Sequence, residues 1–177
     1  MRGGIGREAY DAELGRLFAL AAAKEPGCLT ALLLAEVQLA RGMLGDWASL
    51  PRADAVVAAV RAHLAGTGSA SDCDAAGASL SKELRRKPKP FSNTGRALVI
   101  YQNACASLTI AEVLYQGGAE ETSLYVALHL IDFTNLRTDR PKDELRREQL
   151  DRLQNALDSM APDSLRFARD RVSLLAR

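Results

Sequence analysis

The stretch from Cys105 to Phe133 reads CASLTIAEVLYQGGAEETSLYVALHLIDF, and its pattern decides where the rest of the chain can pack. Two apolar runs flank the pair Gly117-Gly118. Adjacent glycines carry no side chain to pack and have the most backbone freedom to lose, so they end one helix and allow another to begin. The sequence predicts helices over about Thr94 to Gln116 and about Glu120 to Leu136. These are the least charged segments of the chain, and a helix with little charge around its circumference belongs inside a fold. They are expected as a buried hairpin at the centre. Because each arm rises ~1.5 Å per residue, residues whose numbers total roughly 235 lie level. Cys105 then falls opposite Leu130 and beside His129.

Composition supports this picture. Hydrophobic residues make up 47% of 177 residues and aromatics only 5%, with Ala and Leu dominant. That mixture favours helices in close contact over sheets, which are rich in β-branched and aromatic residues. The length suits one domain able to bury a core without staples. The expected fold is all-α: a single compact multi-helix domain over residues 1–177, with seven or eight helices.

The remaining helices follow from periodicity and punctuation. Tyr10, Leu14, Leu17, Phe18 and Ala21 mark a stripe on a helix from about Arg7 to Lys24, stopped by Pro26-Gly27. CLTALLLAEVQLARGMLG, ending at Gly45, is apolar around most of its circumference and is expected to pack on several sides. Pro51 opens a third helix that Gly66 closes, with His63 near its C-terminal end, where a protonated imidazole suits the helix dipole. Residues 65–79 are rich in Gly, Ser and Ala and read as a loop, followed by a short helix from about Ala75 to Arg86. Pro88 and Pro90 exclude regular helix from the basic loop 85–96. A seventh helix, about Lys142 to Met160, buries Leu145, Leu150, Leu153, Ala156, Leu157 and Met160, and an eighth is expected over about Asp163 to Ala176.

Within the central hairpin, His129 and Asp132 are three apart and share a helix face. With Cys105 level and Tyr101 a turn away, they outline either a thiol nucleophile with an oriented base or a polar spot for a small ligand. The sequence has no oxyanion-hole motif, GxSxG elbow or Gly-rich phosphate loop to complete an enzyme. A free Cys in such a run packs as a small hydrophobe. The expectation is that His129 and Asp132 are either a hydrogen-bonded pair fixing the hairpin register or a polar spot left for a partner, and that the protein is not an enzyme. With two histidines in all and one His-x-x-Asp, even Glu112 from the other arm leaves a metal short of ligands, so no metal or cofactor is expected.

Charge gives the other functional signal. The chain's net charge is +1, but Arg85, Arg86, Lys87, Lys89 and Arg96 occur with no acid between them. Ala97 to Leu136 carries Glu112, Glu120, Glu121 and Asp132 without Lys or Arg. A run of this kind reads first as a solvated linker and second as a protein contact; if the protein is a binding module, the basic loop, with Phe91 inside it, is the expected partner-binding surface, and Glu120 and Glu121 at the acidic end of the hairpin are the next candidates. Contact with nucleic acid through the same loop ranks third, since no basic helix or reading motif accompanies it. Cys28, Cys73 and Cys105 are an odd number without CxxC spacing, which points to a reducing cytoplasm. The first residues, MRGGIGREAYDAEL, lack the apolar core of a cleaved signal, and no run is long and apolar enough for a bilayer. A homodimer is left open.

CASLTIAEVLYQGGAEETSLYVALHLIDF also resembles the helix, small-residue turn, helix pattern of all-α immunity proteins from bacterial polymorphic-toxin systems. The likeness covers about thirty residues and is compositional as much as sequential. It implies a small, cytoplasmic, non-enzymatic helical protein that inhibits a cognate toxin by direct binding. It carries no individual binding residue across.

Overall fold

The computed structural model describes residues 3–24, 27–45, 48–86, 90–114 and 120–159, the side chains of 111–114, 120 and 121 excepted. The described residues form seven helices and no strand: α1 Arg7–Lys24, α2 Cys28–Leu44, α3 Pro51–Leu64, α4 Ala70–Arg86, α5 Asn93–Leu114, α6 Glu120–Thr138 and α7 Lys142–Ser159. The fold is all-α, as expected. The eighth helix and Met160 lie outside the described residues.

α5 and α6 make the most extensive helix pair, and α2 lies against both. α3 and α4 cover the α5 side; α1 and α7 cover the α6 side. Tyr101 of α5 and Phe133 of α6, both fully buried, meet with ring centroids 5.8 Å apart at 52°. This tilted contact matches the anticipated register to within a residue and favours the ring edges over the faces. α2 is buried nearly all round, through Leu29, Leu32, Leu33, Leu34 and Val37 among others. Each such side chain contributes about 1.5–3 kcal/mol on leaving water.

Helix ends follow local chemistry. Gly66 (φ 74°) closes α3, with its amide donating to the His63 carbonyl and the Thr67 amide to the Ala62 carbonyl. The left-handed backbone is open to glycine, and the two bonds satisfy carbonyls the helix would otherwise leave bare. Ser92 caps α5: its Oγ accepts from the Gly95 amide at 3.0 Å.

The loop expected over residues 65–79 is corrected: only its first five residues lie outside helix, and α4 begins at Ala70. Ser69 and Asp72 form a capping box, in which the Asp72 amide donates to Ser69 Oγ at 3.1 Å and the Ser69 amide to Asp72 Oδ2 at 2.9 Å. Cys73, Gly77 and Leu80 are buried at helical spacing, with Leu84 packed against the core below them. A small-residue segment is therefore helical because it has both a start signal and a face to bury.

Gly77 sets how closely α4 approaches α5. A Cβ there would lie 2.2 Å from Thr109 Oγ1 and 3.0 Å from Thr109 Cβ. Gly77→Ala should therefore lower stability in a denaturant titration, although Ala is favoured over Gly within a helix by about 1 kcal/mol. Thr109→Ala in the same chain should recover much of the loss. Equal or higher stability of the Gly77→Ala single variant would show that the helices part without cost.

Candidate functional site

The basic segment connects α4 to α5, and the described residues at its two ends are placed by those helices. α4 and α5 run antiparallel: Gly77 touches Thr109, and Gln102 Nε2 donates to Glu83 Oε1 at 3.4 Å. Arg52 Nη1 of α3 also reaches Glu83, at 2.9 Å, which ties three helices together near the loop. Pro90 packs on Gly95, where a Cβ would come within 2.8 Å of the Pro90 ring. A proline on one side and the Ser92 cap on the other fix the path into α5.

Phe91 lies between these constraints and has a relative exposure of 104%, the highest of the large hydrophobic residues that are exposed. The residue before an N-cap commonly packs on the fourth helical residue as a hydrophobic staple. Here that fourth residue is Arg96, so the staple has no apolar partner and the ring stays in water. Leaving it there forgoes about 1.5–3 kcal/mol of burial. Arg85, Arg86 and Arg96 are exposed and form no ion pair among the described residues. Arg85 and Arg86 suit the C-terminal end of α4, whereas Arg96 sits in the first turn of α5, against the helix dipole. Helix stability does not explain Arg96. Lys87 and Lys89 lie outside the described residues, as do the side chains of Glu120 and Glu121.

The hairpin core is arranged differently from the expectation. Among the described residues, Asp132 does not bond His129: its Oδ1 accepts from Lys142 Nζ at 2.6 Å. The expected intrahelical pair is therefore corrected to a link between α6 and α7. Both partners are nearly half exposed, so the link contributes at most about 1 kcal/mol. His129 is half-buried; burial lowers its pKa, with Asp132 opposing.

Cys105 and Tyr101 are fully buried. Burial pushes the Cys105 thiol up to about 12, and it raises Tyr101 still further above its ordinary value, with Cys105 adding to the effect. A nucleophilic cysteine needs the opposite shift. The Tyr101 hydroxyl faces the Cys105 thiol, and Ser123 Oγ is buried with no hydrogen-bond partner among the described residues. Among the described residues, no group of three or more His, Cys, Asp or Glu is placed to hold a metal.

A polar network not expected from the sequence joins α1, α2, α6 and α7. The Tyr10 hydroxyl donates to Gln149 Oε1, and Gln149 Nε2 donates to the Ala127 carbonyl at 3.3 Å. Arg146 lies over the Tyr10 ring, 6.0 Å from its centroid. Glu36, only 7% exposed, accepts two bonds from Arg152 at 2.8 and 2.9 Å. Burial, then the Glu36 charge, raises the Tyr10 pKa. Tyr10, Gln149, Glu36 and Arg152 are engaged by one another or by backbone, so the network holds helices together; Arg146 Nε is buried with no hydrogen-bond partner among the described residues. No protein-family model matches the chain, and no curated protein or solved structure is found to be similar to it.

The three thiols give a direct test of the core. Cys28, Cys73 and Cys105 are each buried and free of disulfides. At about pH 8 a thiol reagent should leave them unmodified in the folded chain and label them on denaturation. Cys105 titrates higher folded than unfolded, so its contribution to stability is full below the ordinary thiol value of about 8.5 and is lost as pH climbs toward 12. Melting temperature should accordingly fall on the alkaline side. Rapid labelling of Cys105 in the native state would restore the nucleophile reading.

Proposed function

We propose that this chain is a non-enzymatic helical binding module that docks on an acidic protein surface through Phe91 and the cations around it. The observation that carries the reading is the fully exposed Phe91 ring within Arg85 to Arg96, a segment without acids. A large aromatic ring buried on docking is a strong anchor, and cations flanking it in the chain steer an acidic partner into place. Arg86 and Arg96 supply exposed charge on either side of Phe91 in the sequence, and Lys87 and Lys89 add to it.

The resemblance of the hairpin sequence to polymorphic-toxin immunity proteins makes a toxin domain the first partner to test, with inhibition by direct binding as the activity. Three cysteines without disulfides suit action in a reducing cytoplasm. No helix among the described residues is long and apolar enough to cross a membrane. The alternative of an enzyme or ligand site around Cys105, His129 and Asp132 is less well supported, because the thiol is buried and protonated and Asp132 is engaged by Lys142.

The test is binding to the purified products of the genes that flank this one. Phe91→Ala should weaken a true complex by about 10–100-fold, the equivalent of burying one aromatic side chain. Neutralising Arg85, Arg86, Lys87 and Lys89 together should slow association and flatten its dependence on salt, with the helical circular dichroism unchanged. A complex indifferent to both changes would remove the loop from the interface. Tight binding to duplex or single-stranded nucleic acid, lost with the same four charges, would favour a nucleic-acid-associated regulator acting through the basic loop instead.

A further inference from the structure

We infer that the outer face of α4 is a self-association surface, on which α4 of a second copy lies antiparallel across a twofold axis. This inference is separable from the binding function proposed above: Arg85 is shared between the basic segment and the groove, whereas Asp74 and Ile110 belong to the groove alone.

A groove of about 350 Å³ runs between α4 and α5, lined by Asp74, Gly77, Ala78, Ser81 and Arg85 from α4 and by Thr109 and Ile110 from α5. Asp74, Ala78, Ser81 and Arg85 are spaced four, three and four residues apart, so they form one stripe along the helix. An acid stands at one end and a base at the other, roughly 16 Å apart at ~1.5 Å per residue. Both are exposed, and neither forms an ion pair among the described residues.

The ordinary account of charge on a helix does not explain Asp74. Asp72 already occupies the capping box, and the dipole effect fades beyond the first turn, where Asp74 sits. The stripe is instead complementary to its own reverse. Turned antiparallel about a point midway between Ala78 and Ser81, it sets Asp74 of each copy against Arg85 of the other and Ala78 against Ser81. Residues this small let two helices approach near the close end of the usual 8–10 Å range.

Ile110 completes the fit. It is 46% exposed, and it follows Thr109, which touches Gly77, so it lies toward the Asp74 end of the groove. An arginine arriving to meet Asp74 would cover Ile110 with its methylene stem while its guanidinium reached the carboxylate. The same contact recurs at the other end by symmetry, as a twofold interface requires. The strip is narrower than a standard interface of about 1,600 Å², so the expected dimer dissociates on dilution.

The test is sedimentation velocity over about a hundredfold range of concentration. The unmodified chain should move from monomer toward dimer as concentration rises. Asp74→Arg and Arg85→Asp, each folded by circular dichroism, should stay monomeric throughout, since each sets like charges together twice. The double variant carrying both substitutions should dimerise again. An equimolar mixture of the two single variants should also dimerise, because each then supplies the charge the other lacks. Failure of the unmodified chain to associate would overturn the inference, as would single variants that dimerise as well as it does.

Discussion

The apolar circumference of α2 is the constraint on which the other helices depend. A helix with leucines over more than half of its circumference cannot rest on a surface with one face in water, so neighbours enclose most of it and leave only Leu39 among its leucines half exposed. α1, α3, α5, α6 and α7 all touch α2. Its one buried acid, Glu36, then becomes a second constraint, because a carboxylate out of water must be paired. Arg152 meets it with two bonds, which add a specific contact between α2 and α7 to the burial of Leu145, Leu150, Leu153 and Leu157. The pair's net stabilisation is small, since desolvating the acid offsets much of the attraction.

Where one helix decides its own burial, the sequence was a sufficient guide. All five stripe residues of α1 are buried, and the central hairpin has the anticipated register through Tyr101 and Phe133. α4 was obscured because Gly, Ser and Ala suggest a loop by composition, while Cys73, Gly77 and Leu80 form a stripe of mostly small residues. The capping box at Ser69 and Asp72 was the local signal that could have found it.

Long-range polar pairing was not legible at all. Asp132 has a close neighbour in His129 along its own helix, yet Lys142 takes it from the start of α7. Gln149 reads as a surface residue in a charged helix, and is buried because Tyr10 and the Ala127 carbonyl both use it. Choices of this kind depend on which helix ends meet, and periodicity within a helix carries no information about that. The charge pattern of the basic loop was visible, but not that Phe91 would stand free. That outcome rests on Arg96 occupying the position where an apolar residue would have held the ring down.

The same physical feature positions both candidate surfaces. Gly77 brings α4 close to α5, and Glu83 links α4 to Arg52 and Gln102, so the end of α4 moves with the core. The loop leaving that end is then narrowed by Pro90 on Gly95 and by the Ser92 cap, which leaves the Phe91 backbone little to lose on docking. Close approach has a second consequence on the outer side: with no side chain at Gly77, the surface dips there between Asp74 and Arg85. A flexible attachment of α4 would blur the loop and the groove together. Their shared dependence on one glycine contact means that the packing of α4 on α5 controls how well either surface is formed.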